Sequence, residues 1–405
     1  MGGGGQRVID AAVVGAGPAG LAASAALAAG GIEHVVLERG RVGGSWRAQR
    51  WDSFRLNTPG WMNRLLGEQA PDAYLTRSEV AQRLEQLAAD RPVRAGVGVE
   101  RLAPTADGYE LRTGDGSIRA RTVVVATGDQ NTPQVPALAR TLPERVAQYH
   151  TAGYRSPGEL PTGAVLVVGS GQSGCQIAED LLAAGRRVVL ATSPVGRLPW
   201  RHRGRDTIAW LVEAGFFDQR PRELPDPSVT RAAQPIVAAG GRSLSLPALA
   251  RAGATLVGRP VAVAGERVSF DDSVQANIAA GDAFAARARA MADDLIRRRG
   301  LDPPPAEPDD TDAPVQPDPP AALDLHAEEV GSVVWCTGFG GDFSWLDPAL
   351  LDGAGQPRRQ DAAGAVPGVW YLGLKWLVRR SSGILFGFPR DATTVAEAIK
   401  AHLES

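Results

Sequence analysis

The stretch "DAAVVGAGPAGLAASAALAAGG", residues 10–31, is about as long as a membrane span but has the wrong bulk for one. A span needs ~20 predominantly apolar residues, whereas Ala and Gly dominate here and large apolar side chains are few. Gly15-Ala16-Gly17-Pro18-Ala19-Gly20 also divides the run where a β-like segment, Ile9 to Val14, meets an Ala-rich helical one. Strand, then G-x-G-x-x-G, then helix is the order a dinucleotide fingerprint requires. Gly15 permits the tight turn, Gly17 lets the backbone approach a pyrophosphate, and Gly20 lets helix and strand pack closely. The first helical turn, with Pro18 and Ala19, offers the phosphates a partial positive charge and free N–H groups.

The pattern occurs twice. "AVLVVGSGQSGCQIAEDLLAAGRRVVLATS", residues 164–193, is again strand, G-x-G-x-x-G and helix, with Gly169, Gly171, Gln172, Ser173 and Gly174 at the turn. Each unit is followed much later by a β-branched run ending in Thr-Gly. These runs are "TVVVATG" (122–128, with Thr127 and Gly128) and "SVVWCTG" (332–338, with Gly338). Two fingerprints in strand–helix context imply two nucleotides. The fold class expected is therefore α/β, with two Rossmann-like dinucleotide-binding domains.

The end of each second strand distinguishes the nucleotides. "HVVLERG" (34–40) places Glu38 and Arg39 there, and a carboxylate at this place accepts hydrogen bonds from the ribose hydroxyls of an unphosphorylated adenosine. In the second unit the matching position is Ala191 or Thr192, neither acidic, followed by Ser193, Arg197, Arg201 and Arg203. Hydroxyl and guanidinium groups without an acid suit a 2′-phosphate. So the first site favours FAD and the second NADPH, with Ser193 and Arg197 as phosphate candidates. The same arginines could equally form a solvated loop.

Composition is ordinary for a soluble globular protein. The chain has 405 residues, 44% hydrophobic and 22% charged, with formal net charge −2. This balance gives no reason to expect nucleic acid or an anionic membrane as partner. Cys175 and Cys336 are the two cysteines, so no Cys-x-x-Cys redox pair exists, and five scattered histidines show no metal-ligand spacing. No signal-peptide pattern opens the chain and Gln6 breaks a myristoylation motif, so a cytoplasmic location is expected.

The arrangement resembles the flavin-containing monooxygenases and their bacterial relatives, two-dinucleotide-binding-domain flavoproteins, over nearly the whole chain. "GGSW" (43–46) is similar to the family's GG-x-W element and implies that Gly44, Ser45 and Trp46 lie along FAD. "FRLNTP" (54–59) is similar to the segment that brings an amide to the flavin, which makes Asn57 the catalytic candidate, although a turn residue before Pro59 would look the same. Only half of the linker signature F-x-G-x-x-x-H-x-x-x-aromatic is present. "YHTAGYR" supplies His150 and Tyr154, but Glu144 and Val146 stand where Phe and Gly are expected.

The resemblance implies a discontinuous FAD domain, residues 6–155 and 331–405, with an NADPH domain, 156–330, inserted. It further implies a closing helix, with Asp391 as its N-cap, aimed at the flavin. The activity implied is insertion of one O₂-derived oxygen into a small amine or thioether by way of a C4a-(hydro)peroxyflavin. Baeyer–Villiger oxygenation and a non-oxygenating NADPH-dependent flavoprotein are the alternatives. A small-molecule substrate, O₂ and a homodimeric state complete the expected partners.

Other residues have plainer readings. His150 reads as a domain-linking hydrogen bonder rather than an acid–base catalyst, and Cys175 as a small packing residue. Trp46, Trp51 and Trp61 fit core packing as well as substrate stacking. The segment Arg201–Pro227 reads as a helix with Ile208, Leu211 and Val212 on one face, and Ala276–Gly300 as a long amphipathic helix stopped by Gly300. The Pro-rich acidic stretch 302–320 reads as an extended surface loop.

Overall fold

A computed structural model describes residues 7–237 and 240–405; the Met1–Gln6 tail of the sequence lies outside the described residues. The run 10–31 divides as its glycines require, into strand Val8–Val14 and helix Pro18–Ala29. No described helix is long and apolar enough to cross a membrane.

Two parallel sheets carry the molecule, and they share one strand order. In the first, Val93–Ala95, His34–Glu38, Val8–Val14, Gly116–Val125 and Val369–Tyr371 lie side by side, with antiparallel strands added beyond. In the second the order is Thr255–Val257, Val188–Ala191, Ala164–Val168, Val330–Trp335 and Ala147–His150. The two β-branched runs ending in Thr-Gly occupy the same place, each paired in parallel with its fingerprint strand. Their central strands are buried on both faces, as parallel sheets covered by helices require.

The topology corrects two domain boundaries. Val330–Trp335 pairs with Ala164–Val168, so the second sheet continues past residue 331. The return to the first sheet comes at Arg359–Tyr371 instead. Ala147–His150, placed before the 155 boundary, is likewise the outer strand of the second sheet. The crossover segment thus supplies the edge strand of the second sheet, where Ala147–His150 pairs with Ser332–Trp335.

The insert in the second unit folds into two packed helices, Thr207–Glu213 and Val274–Arg299. Ile208 and Leu211 are buried, as their spacing requires. The long helix buries Val274, Ile278, Gly281, Ala285, Ala288, Ala292 and Leu295, a stripe at intervals of three and four, and ends at Gly300 with φ +62°. The Pro-rich stretch lacks long regular elements but is tied down. Asp309 accepts from Ser243 Oγ (2.6 Å), and Asp312 accepts from Arg197 Nη2 (2.5 Å) and Arg289 Nη2 (2.6 Å).

Candidate functional site

Both fingerprint turns open onto one cavity of about 1610 Å³, larger than the roughly 300–1,000 Å³ of a typical single-ligand site. At the first turn Gly15 sits at φ +102°, where a Cβ would lie 2.8 Å from Ala126 O, and a Cβ on Gly20 would lie 1.8 Å from Gly15 O. A Cβ on Gly17 would meet nothing within 4 Å, so this glycine keeps open the space of the cavity itself. The helix it opens has no side-chain cap, which leaves first-turn N–H groups for a ligand.

The second turn repeats the geometry. Gly169 has φ +104° and a Cβ position 2.6 Å from Cys336 O, Gly174 would meet Gly169 O at 1.8 Å, and Gly171 is open. Helix Gln172–Ala183 also lacks a side-chain cap.

The polar equipment of the turns differs. Glu38 is held in place by Ala16 N–H donating to Oε2 and Gly40 N–H to Oε1, both 2.9 Å, and it lines the cavity. Thr127 Oγ1 is buried without a partner at the cavity wall, beside Gly128 at φ +73°. Arg39, Gly44, Ser45, Trp46 and Asn57 share this wall. Gly15 N donates to Leu37 O and Gly169 N to Ala191 O, so Thr192 is the counterpart of Glu38. Its hydroxyl is spent inside, donating to Val257 O (2.9 Å) and accepting from Asn277 Nδ2 (3.0 Å). Ser193, Gln172, Ser173 and Gly338 line the cavity on this side, with Gln172 also pairing with the backbone of Val237.

Comparison with known proteins agrees with this geometry. Residues 12–212, about half of the chain, match the pyridine nucleotide-disulphide oxidoreductase family. An uncharacterized CzcO-like oxidoreductase of Geobacillus kaustophilus is 29% identical over 98% of this chain and 100% of its own. Indole-3-pyruvate monooxygenase YUCCA1 of Oryza sativa is 32% identical over 58% of this chain and 60% of its own. A flavin-containing monooxygenase from Stenotrophomonas maltophilia superposes with TM-score 0.68 at 22% identity, covering 98% and 100% of the two chains. In fold the chain is similar to the flavin-containing monooxygenases, and over residues 12–212 its sequence matches the pyridine nucleotide-disulphide oxidoreductases. Its enzyme class is FAD- and NAD(P)-dependent oxidoreductase.

Four of the residues expected from the sequence are engaged by other side chains in this flavoprotein. Arg197 is buried, does not line the cavity, and bonds Asp282 (2.8 Å) and Asp312 (2.5 Å). Its two carboxylate partners let it tie the Pro-rich stretch to the long helix. Arg201 and Arg203 are drawn off in the same way, to Asp206 and Asp293. Asp391 is fully buried inside the first turn of helix Phe388–Glu404, whose N-cap is Gly387. Pro389 starts that helix earlier than Asp391 alone suggested, and the carboxyl faces Arg379 (3.3 Å) away from the cavity. Burial raises the Asp391 pKa above the usual carboxylate range.

Other residues keep structural roles. His150 Nε2 donates to Gly338 O (2.9 Å) and so ties down the second Thr-Gly turn, while its Nδ1 accepts from Ala152 N–H (3.2 Å) in its own loop. Burial lowers its pKa. Tyr154 donates to Asp180 Oδ2 (2.6 Å), linking the crossover segment to the second helix. Cys175 is fully buried, with its thiol pKa raised by burial, and Sγ–H donates to Ser170 O. No metal-binding cluster occurs among the described residues.

Among the cations that line the cavity and were not singled out from the sequence are Arg259 and Arg380. Arg259 follows Val257, whose carbonyl accepts from Thr192 N and Oγ1; its N–H donates to Asp271 Oδ1 (2.8 Å) and its exposed guanidinium pairs with Asp271 Oδ2 (3.4 Å). Arg380 lies just before the closing helix. Neither is near a fingerprint in sequence, so no local pattern could have singled them out.

Proposed function

We propose that this flavoprotein is a FAD- and NADPH-dependent monooxygenase that places one oxygen atom of O₂ on a nitrogen or sulfur of a small molecule. The reading is carried by two ligand-ready glycine turns, with unlike ribose ends, facing one shared cavity. FAD would be held by the Gly15–Gly20 turn, Glu38, Thr127 and the Gly44–Trp46 wall. NADPH would be held by the Gly169–Gly174 turn and Ser193, with Arg259 on the 2′-phosphate in place of Arg197. Bound side by side, the cofactors supply transfer of two electrons from NADPH to O₂. One oxygen atom then goes to the substrate and the other leaves as water.

The chain's own part is to orient, exclude water and hydrogen-bond. Asn57 lines the cavity with an amide that has no protein partner among the described residues, so it is free to donate to an oxygen there. The apolar walls from Ile208, Leu211, Phe216 and Phe284 exclude water, which keeps activated oxygen from release as peroxide. The test is NADPH-dependent O₂ uptake with H₂O₂ measured alongside, in the presence of amines and thioethers. Wild type should convert part of the O₂ into oxygenated product, and Asn57→Asp should shift that part toward H₂O₂. If all consumed O₂ appears as H₂O₂ with every nucleophile, the protein is an NADPH oxidase and the proposal fails.

A further inference from the structure

The insert helices give one end of the cavity a chemistry of its own. Ile208, Leu211, Phe216, Phe217, Phe284 and Ile384 form an apolar chamber there, with the Phe216 ring edge-on to Phe217 and Phe284. Arg287 lies over the Phe284 ring (5.7 Å) without lining the cavity, and the charged group that lines it beside these rings is Arg380. Arg380 Cζ lies 3.9 Å from the Phe216 ring centroid and 4.4 Å from that of Trp376. Its Nε and Nη2 donate to Gln219 Oε1 at 3.1 and 2.9 Å, and its backbone N–H donates to Gln219 O.

Gln219 fixes the plane of the guanidinium but brings no charge. The acids close by are committed to other arginines, Asp391 to Arg379 and Asp218 to Arg390. No described ion pair includes Arg380, and its Nη1 has no protein partner. Burial lowers its pKa to about 10, which still leaves it charged at neutral pH. Of the carboxylates at the cavity wall, Glu38, Glu100, Asp115, Asp129 and Asp342, none makes a described ion pair with Arg380, although Asp129 accepts from Lys375 N–H (3.4 Å). A desolvated cation without a counter-ion is costly unless an anion completes it. The phosphate sites are accounted for elsewhere, at the two helix N-termini and at Arg259.

We infer that the substrate is a carboxylate on a compact apolar or aromatic body, with Arg380 as the residue that selects the carboxylate. A guanidinium fixed in its plane offers paired N–H donors to a carboxylate, and the phenylalanine walls take the apolar body. A protonated amine is repelled by the same charge. Of the substrates in the proposed reaction, on which this inference rests, it selects thioethers or other nucleophiles that carry an acid group.

The test is calorimetric titration of the FAD-loaded protein, without NADPH, using 3-phenylpropionate, 3-phenylpropionamide and 3-phenylpropylamine. Wild type should bind the acid at least about tenfold more tightly than the amide, and the amine weakest. Arg380→Met should bring acid and amide within about twofold of each other, and Arg380→Lys should retain part of the preference. An amide or amine binding as tightly as the acid overturns the inference, as does an Arg380→Met protein that keeps the full preference. The wild-type series decides the matter even if Arg380→Met does not fold. Because no oxygen chemistry is read, failure here is separate from failure of the monooxygenase reading.

Discussion

The two glycine turns differ little in backbone and much in what surrounds them. Gly15 and Gly169 have φ within a few degrees of each other, and Gly20 and Gly174 leave the same 1.8 Å clearance to a carbonyl. At the ribose end the first turn is braced by a carboxylate, Glu38, which accepts from the N–H groups of Ala16 and Gly40. At the second, Ser170 Oγ replaces that brace by accepting from Ser193 N–H (2.9 Å). Both devices hold the loop, but only the first leaves a negative charge on the cavity. The lesson is that one backbone solution to phosphate binding is made selective by the side chain that braces it.

The comparison breaks first at the open glycines. Gly17→Val should abolish FAD retention, and Gly171→Val should retain FAD but lose reduction by NADPH; a valine at either place fills space that no protein atom occupies. Flavin absorbance after gel filtration and anaerobic reduction by NADPH measure the two. Next in size is Arg197→Ala. It should destabilise the fold by roughly 2–3 kcal/mol, below the range for fully buried pairs because Asp282 is half-exposed, while leaving coenzyme preference unchanged. Denaturant melts and NADPH/NADH ratios check this.

Smaller effects sharpen the contrast at the ribose ends. Arg259→Ala should weaken NADPH about tenfold or more and NADH little, since a hydrogen bond to a charged group contributes roughly 1.5–3 kcal/mol. Glu38→Gln should weaken FAD by a similar factor and leave NADPH unaffected; equilibrium binding of each nucleotide is the measurement.

The smallest effect is acid sensitivity. The Ser273 hydroxyl, followed by backbone N–H groups, holds the Asp271 carboxyl below the usual range in the second fold, and the Thr76 backbone and side chain do the same for Glu79 in the first. A folded pKa below the unfolded one gives stability that is present above the unfolded value and lost as pH falls through the folded one. Asp271→Asn and Glu79→Gln should therefore each flatten the loss of stability below about pH 4 without changing its direction. Thermal melts across that range read the slope.

Much of the site was legible because phosphate binding is a local problem. A turn that must approach a phosphate needs glycine at fixed spacings, and a β-strand before it and a helix after it, all within one continuous stretch. The two glycine turns, with the strand before and the helix after each, were readable for this reason, and so were the two Thr-Gly strand ends. Charge partners are not local. Arg197 was chosen for its nearness to a strand end, but Asp282 and Asp312, far along the chain, claim it. Asp391 was read as a cap, and Arg379 and the core claim it.

By itself the sequence determined two dinucleotide folds, the unlike ribose ends and the positions of the insert helices, because turn sterics and helical periodicity act over a few residues. Only the tertiary structure decided which arginines are buried against carboxylates, like Arg197, and which, like Arg259 and Arg380, line the cavity. It also decided that the strand Val330–Trp335 closes the second sheet. Both outcomes depend on partners brought together from distant parts of the chain, and hydrogen bonds and ion pairs form with whatever group the fold places within reach.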